Sequence, residues 1–286
     1  MILSTRLLPL VYLFLASSTH AADRPRLDAH GDPLPEGAFA RLGTIRFRGL
    51  IGAVTLSPDG RMIATIDGQS SLRLLDAASG KTLKVFRLEE GAGHATVAFS
   101  PDGKVLAALV SSGRIRLWSV TTGKALGDID TAKTQLSSVA FSGDGRLLTA
   151  ASDQLVGEHR TIRVWEVATR KLLTAVEPIH SQEVFSTLAG DGKRLATWGR
   201  VATVGNRDDA ERRARTIQVW DTSSGKEVRK IEMPQGSVLS KVSLSRDGSR
   251  LVVCCGSQLR IWDVTTGKEV GQFAGRRATQ SCFLSP

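Results

Sequence analysis

The 286-residue chain carries 38 Lys and Arg against 28 Asp and Glu, a formal net charge of +10, and is 41% hydrophobic. The hydrophobic share is ordinary for a globular protein and ample for a sizeable core. The charge favours anionic partners, and a count of three cysteines argues against a disulfide framework.

Residues 1–22 read as a signal peptide. Arg6 gives the positive start, Leu7 to Ala16 the apolar core, and Ser17 to Ala22 the small residues, with Thr19/Ala21 or His20/Ala22 placed for cleavage. The apolar run is too short to cross a bilayer, which favours cleavage over the alternative of a retained N-terminal anchor. Export, to a periplasmic or extracellular home, is therefore the expected localisation. No later segment is apolar enough to span a membrane. Residues 23–40 hold Pro25, Pro33, Pro35, Gly31 and Gly37 and read as an extended linker. Apolar character returns at 41–48, which reads as the outer strand of a sheet whose other strands come from elsewhere.

The rest is a repeated unit, clearest from Val97 to Ile129. Val97 to Phe99 form a short strand. Ser100 to Gly103 (Ser-Pro-Asp-Gly) form a tight turn, with Pro101 presetting φ. Val105 to Val110 is a nearly unbroken apolar strand. Ile115 and Leu117 alternate around Arg116 in a third strand that ends at Trp118. Thr121 to Lys124 make a second turn into a weaker fourth strand. Three marks recur in step. Asp-Gly returns at Asp59, Asp102, Asp144, Asp191 and Asp247, at spacings of 42–56 residues. The third-strand anchor returns as Leu75, Trp118, Trp165, Trp220 and Trp262. The second turn returns as Ser79-Gly80-Lys81, Thr122-Gly123-Lys124, Thr169-Arg170-Lys171, Ser224-Gly225-Lys226 and Thr266-Gly267-Lys268.

A four-stranded antiparallel unit of this period is the mark of a β-propeller blade, which hides its faces only against copies of itself. The expected architecture is all-β. It has five complete blades, at about 51–90, 94–131, 136–177, 182–232 and 238–274. Parts of one further blade lie at 41–48 and 279–286, so the ring is expected to be incomplete or open. The last part, Ser281 to Pro286, matches the first strand and turn opening of the unit.

The repeats resemble the WD40 family. Trp220-Asp221 and Trp262-Asp263 carry its dipeptide, Trp118-Ser119 and Trp165-Glu166 are variants, and Leu75-Asp76 lacks the Trp. The Gly-His pair that usually opens such a repeat survives only at Gly93-His94. The Asp usual before the third strand is missing, so the hydrogen-bond tetrad of the family is incomplete and packing should hold the blades. The resemblance implies a propeller platform and does not by itself set an activity.

In an antiparallel meander the first–second and third–fourth turns share one end. That end gathers Arg61, Lys104, Arg146, Lys193 and Arg250 with Lys81, Lys124, Lys171, Lys226 and Lys268, most simply read as solvated turn charges. The other end carries two insertions, Asp153 to Arg160 and Gly199 to Arg215. Insertions beyond a repeat template often form the binding face. Arg200, Arg207, Arg212, Arg213 and Arg215, with His159 and Arg160, are therefore candidate partner contacts, since guanidinium suits carboxylate or phosphate. Trp198, at the root of the longer insertion, is a further candidate, with core burial as the alternative.

Cys254 and Cys255 are neighbours in a strand and read as buried apolar cysteines, because side chains on opposite faces do not bond without distortion. His94 and His180 stand where repeats open and suit turn hydrogen bonds. No histidines sit at metal-ligand spacing, no Gly-x-Ser-x-Gly elbow occurs, and no phosphate loop precedes a helix. No cofactor is implied. A non-catalytic, exported scaffold for a protein or anionic polymer is the expected function. A propeller enzyme, quinoprotein-like or hydrolase, is the alternative. Nucleic acid fits the charge but conflicts with export, and no aromatic-plus-basic groove is present.

Overall fold

The computed structural model describes residues 53–66, 71–88, 96–110, 113–132, 136–156, 159–180, 183–200 and 207–274, with Leu27, Asp32 and Leu34. Residues 1–45 form one unit and residues 46–286 another; everything below concerns the second. The segments read from the sequence as a signal peptide (1–22), a linker (23–40, apart from three residues) and parts of a further blade (41–48 and 279–286) lie outside the described residues.

Five four-stranded antiparallel sheets follow one another along the chain, each in sequential strand order. Blade one is β1 (Val54–Leu56), β2 (Met62–Ile66), β3 (Ser71–Asp76) and β4 (Thr82–Arg87). Blade two is β5 (Val97–Phe99), β6 (Val105–Val110), β7 (Arg114–Ser119) and β8 (Ala125–Asp130). Blade three is β9 (Leu136–Phe141), β10 (Leu147–Val156), β11 (His159–Glu166) and β12 (Leu172–Val176). Blade four is β13 (Glu183–Leu188), β14 (Arg194–Arg200), β15 (Thr216–Asp221) and β16 (Glu227–Glu232), with helix α1 (Arg207–Ala214) between β14 and β15. Blade five is β17 (Leu239–Leu244), β18 (Arg250–Cys255), β19 (Gln258–Asp263) and β20 (Glu269–Ala274). The five blades read from the sequence are present.

The first strand of each blade is the inner one: β1 packs on β5, β5 on β9, β9 on β13 and β13 on β17. The five described sheets do not close into a ring, so among the described residues the array is open.

Four of the five Asp-Gly turns are small polar networks; in the fourth blade Ala189 takes the serine's place. Ser57, Ser100, Ser142 and Ser245 donate their hydroxyls to Asp59, Asp102, Asp144 and Asp247, all at 2.6 Å. The same hydroxyls accept the backbone N–H five residues on. The turn closes because its glycine takes positive φ, as at Gly103 (70°). The second turn needs the same geometry, and in blade three a non-glycine adopts it: Arg170 sits at φ 60°. A left-handed side-chain-bearing residue costs about 1–2 kcal/mol. Arg170 offsets part of that by reaching back to blade two, where its Nη1 donates to the Leu126 carbonyl at 3.0 Å. It lies where a Cβ on Gly127 would have to sit.

Both turn families do share one end. The backbone N–H groups of Ala77, Val120 and Val167 donate to the carbonyls of Arg61, Lys104 and Arg146 at 2.8–2.9 Å, tying second turn to first. Three of the basic side chains there lie beside a local carboxylate. Arg250 pairs with Asp263, and Lys104 and Lys193 lie 3.8 Å from their own turn carboxylates. Lys84 and Arg229 instead bridge blades, Lys84 to the Val120 carbonyl at 2.6 Å and Arg229 to that of Val264 at 3.2 Å.

The core lies between blades. Trp118 packs with Ala64, Leu72 and Leu74 of blade one, and Trp165 with Leu109, Ile115 and Leu117 of blade two. Trp220 packs with Ile162 and Val164 of blade three, and Trp262 against Ile217 and Val219 of blade four. The anchor face of each of blades two to five thus meets the preceding one. Leu75 is also buried. Packing alone does not account for blade four: Trp220 Nε1 donates to Thr197 Oγ1 at 2.9 Å, a buried bond. The register that pairs Leu195 with Trp220 also pairs Leu251 with Trp262, which makes Val253 the counterpart of Thr197. Trp262 Nε1 is accordingly buried without an acceptor. Val253→Thr should supply one and raise the urea midpoint, by about 1 kcal/mol of stability. Thr197→Val should lower it by a similar amount, and a Val253→Thr protein no more stable than wild type would refute the assignment.

Candidate functional site

The two insertions rise from the second–third strand connections of adjacent blades, opposite the turn end. The shorter one lengthens a hairpin rather than forming a loop. β10 and β11 run on to the pair Val156–His159, past a register shift between Ala151 and Leu155. His159 opens β11, and Arg160 follows it, half-buried.

The longer insertion, Gly199 to Arg215, is not all loop: it contains the helix α1. The order of charge explains the helix. Asp208 and Asp209 occupy its first turn and Arg212 and Arg213 its last, which suits the helix dipole. Asp209 pairs with Arg212 at 3.0 Å and with Arg213 at 2.8 Å, one turn on. Ala210 is buried, and Thr216 Oγ1 donates to the Arg212 carbonyl at 2.7 Å, closing the helix end.

The candidate arginines therefore do not form one free cationic cluster. Arg212 and Arg213 are half-exposed and share a single carboxylate. Arg215 is mostly buried; its Nη2 lies 2.7 Å from Glu232 Oε1, and its Nη1 donates to the Met233 carbonyl at 2.5 Å. It bolts the insertion to β16 and is a positioning residue. Arg200 ends β14 and Arg207 opens α1.

Trp198 is 7% exposed and belongs to the core between blades four and five. As an exposed anchor for a partner it is therefore replaced by its neighbour. Phe185 stacks on it with ring centroids 5.7 Å apart, pairs with it across β13 and β14, and is 47% exposed. The sequence signal for Phe185 was a large aromatic one position outside the apolar alternation of an inner strand.

His180 holds the base of this surface. It lies in the connection from blade three to blade four, fully buried, and its Nε2 stands 3.0 Å from the Thr216 carbonyl. Only the tautomer with hydrogen on Nε2 can donate there, which leaves Nδ1 as a buried acceptor without a partner. Beside it the Ile179 N–H donates to Gln218 Oε1 at 2.8 Å.

The cysteines divide. Cys255 is a free, buried thiol whose pKa is raised by burial. Cys254 is one half of a disulfide, which corrects its reading as a buried thiol. The vicinal pair is not the bond, since Cys255 is free.

Among the described residues, no three His, Cys, Asp or Glu side chains gather as a metal site, and no helix is long and apolar enough to cross a membrane. The class of protein is that of antiparallel four-stranded blades set side by side with open loops at one end. A family model described as WD domain, G-beta repeat matches residues 123–166 and 225–263. A second, described as the anaphase-promoting complex subunit 4 WD40 domain, matches residues 84–144. Both segments of the first finish on the Trp-ended third strand, at Trp165-Glu166 and Trp262-Asp263. These matches support WD40-type repeats over residues 84–166 and 225–263. No curated protein matches the chain. WD40 repeats point to a protein-interaction scaffold, and such domains are generally non-catalytic.

Proposed function

We propose that the protein is an exported scaffold that binds a protein partner through the insertion end of blades three and four. The observation that carries this reading is the half-exposed Phe185 seated on Trp198 at the root of an insertion that the fold spends a helix, a buried histidine and an ion-paired arginine to hold. Long insertions in compact domains are uncommon unless they serve a purpose, and an aromatic on a rigid base is a typical interface anchor. A protein partner suits the site better than an anionic polymer, because Asp209 and Glu232 already neutralise much of the charge of Arg212, Arg213 and Arg215. Export follows from residues 1–22, and the mature chain is expected to start after Ala21 or Ala22.

The test is affinity capture from the exported fraction with wild type, with Phe185→Ser, and with Arg212→Ala/Arg213→Ala. Arg215 is left intact because its loss would disturb the fold. A partner retained by wild type and lost by Phe185→Ser at unchanged melting temperature is the expected result. Identical capture by all three proteins would remove this face from consideration. Capture lost only by the double arginine variant, and steeply salt-dependent, would move the reading to an anionic polymer.

A further inference from the structure

We propose that the turn end of blades one to three docks on an anionic lipid bilayer, laying exposed leucines into the interface while the lysines beside them meet the headgroups. This surface lies at the opposite end of the blades from the insertions, so the inference is independent of the partner-binding reading.

The fourth strand of each of the five blades is bulged at one place. Leu74 pairs with Lys84 and Leu75 with Thr82, which leaves Leu83 between them without a cross-strand partner. The same register shift extrudes Leu126, Leu173, Val228 and Val270. A bulge on an outermost strand bends the edge away from pairing with another chain. A polar side chain would serve that purpose and keep the edge wet. All five blades place a leucine or valine there instead, 39–54% exposed. Exposed apolar residues scattered singly need no account, but one at the same place in five repeats does. Each stands two residues after the exposed lysine of the second turn: Lys81, Lys124, Lys171, Lys226 or Lys268.

The blades are not equal in this respect. In blades four and five Glu227 and Glu269 stand between the lysine and the valine. In blades one to three Thr82, Ala125 and Leu172 stand there, and Leu172 is itself 53% exposed. Residues 58–62, 76–84, 101–105, 119–127, 143–147 and 166–174 are the two turns and the bulge of blades one to three, and hold eight basic side chains against five acidic ones. The equivalent residues of blades four and five, 190–194, 221–229, 246–250 and 263–271, hold seven against six. The surplus of charge and the larger apolar side chains therefore coincide. Two contacts also tie these three blades together there. Arg170 Nη1 donates to the Leu126 carbonyl at 3.0 Å, which sets the turn leading into Leu172 and Leu173 against the bulge of blade two. Lys84 Nζ donates to the Val120 carbonyl at 2.6 Å, which sets the bulge of blade one against the second turn of blade two.

A bilayer suits this surface better than a protein does. The fourth strands are the outermost of their sheets, and the extruded leucines project singly from successive blades. A helix or strand needs a continuous groove or edge to lie along, whereas a fluid interface moulds to separate side chains. Leucine enters the acyl boundary, and lysine on its flexible stem keeps its ammonium at the level of the phosphates. Anionic headgroups strengthen the attraction with each lysine near the surface.

The test is co-sedimentation of the full chain with vesicles of phosphatidylcholine alone and of equal parts phosphatidylcholine and phosphatidylglycerol. Wild type should pellet with the mixed vesicles and stay in solution with phosphatidylcholine. Lys124→Ser/Lys171→Ser should weaken binding about fivefold for each lysine removed. Leu126→Ser/Leu173→Ser should abolish it at an unchanged melting temperature, whereas Val228→Ser/Val270→Ser, the same change in blades four and five, should leave it in place. Leu126→Trp removes no apolar group, and its emission should shift to the blue on mixed vesicles where that of wild type does not. Wild type left in solution by both kinds of vesicle would overturn the proposal. So would binding that the leucine pair does not change, which would be adsorption by charge alone, or equal loss in the valine pair. An acidic protein held by this end and lost in the leucine pair, with no binding to vesicles, would assign the surface to a protein and overturn the proposal as well.

Discussion

Trp165→Ala should lower the stability of the protein by about 3–5 kcal/mol and break its unfolding into two steps. Trp165 is the largest fully buried side chain, 1% exposed, and it fills the space between blade three and the Leu109, Ile115 and Leu117 face of blade two. Each blade buries its faces only against its neighbours. A cavity at this central interface therefore weakens the coupling between blades one and two and blades three to five, beyond its local cost. Trp262→Ala, at a half-buried anchor in the last described blade, should cost less and leave the unfolding transition single. Urea titrations followed by tryptophan fluorescence and by far-ultraviolet dichroism decide the matter. Coincident transitions for Trp165→Ala, displaced by less than about 1 kcal/mol, would show that the array is not held by its inter-blade anchors.

The blades were legible in the sequence because their determinants are local. A serine, an aspartate and a glycine within four residues close one turn, and a Thr-Gly-Lys or its equivalent closes the other. The apolar run between them has nowhere to go but a strand. The site was legible only as a place. The two insertions stand out as departures from the period, but their contents depend on contacts made far along the chain. Arg215 reads as a free cation in the sequence, but Glu232, at the end of the neighbouring strand β16, lies beside it. Trp198 looked like a possible anchor, but blade five covers it. The helix was the exception. Asp208 and Asp209 before Arg212 and Arg213 is a local helix signal, and it went unread because the propeller template has no helix at that position. The cysteines show the opposite limit. Adjacency correctly excluded a bond between Cys254 and Cys255, yet no local rule tells that Cys254 is bonded elsewhere.

Stability should fall in two stages as the pH is lowered, the first set by His180. Burial is the main cause that takes its imidazole from an ordinary value of 6.5 down to about 4. The unfolded chain binds this proton below about pH 6.5 and the folded one only below about 4. Stability is thus whole above pH 6.5 and is lost as the pH falls towards 4, by about 3 kcal/mol across the window. The second stage belongs to the turn carboxylates. Asp247, held by the Ser245 hydroxyl and then by Ser249, has its pKa lowered to about 2. Asp59 and Asp102 are lowered in the same way by Ser57 and Ser100. Their contribution is present above the ordinary carboxylate value of 3.8 and disappears as the pH drops below it. His180→Gln retains a donor for the Thr216 carbonyl but cannot titrate. It should flatten the melting-temperature profile between pH 6.5 and 4 and leave the steeper fall below pH 4 in place. Because His180 is joined to the first residue of β15, just after α1, protonation should loosen the insertion before the blades. Amide exchange at residues 207–216 should therefore quicken at pH 5 while exchange in β6 and β7 does not. A wild-type profile that is level from pH 7 to 4, or uniform quickening across all blades at pH 5, would place the acid sensitivity elsewhere and take from His180 its role as the pin beneath the insertion.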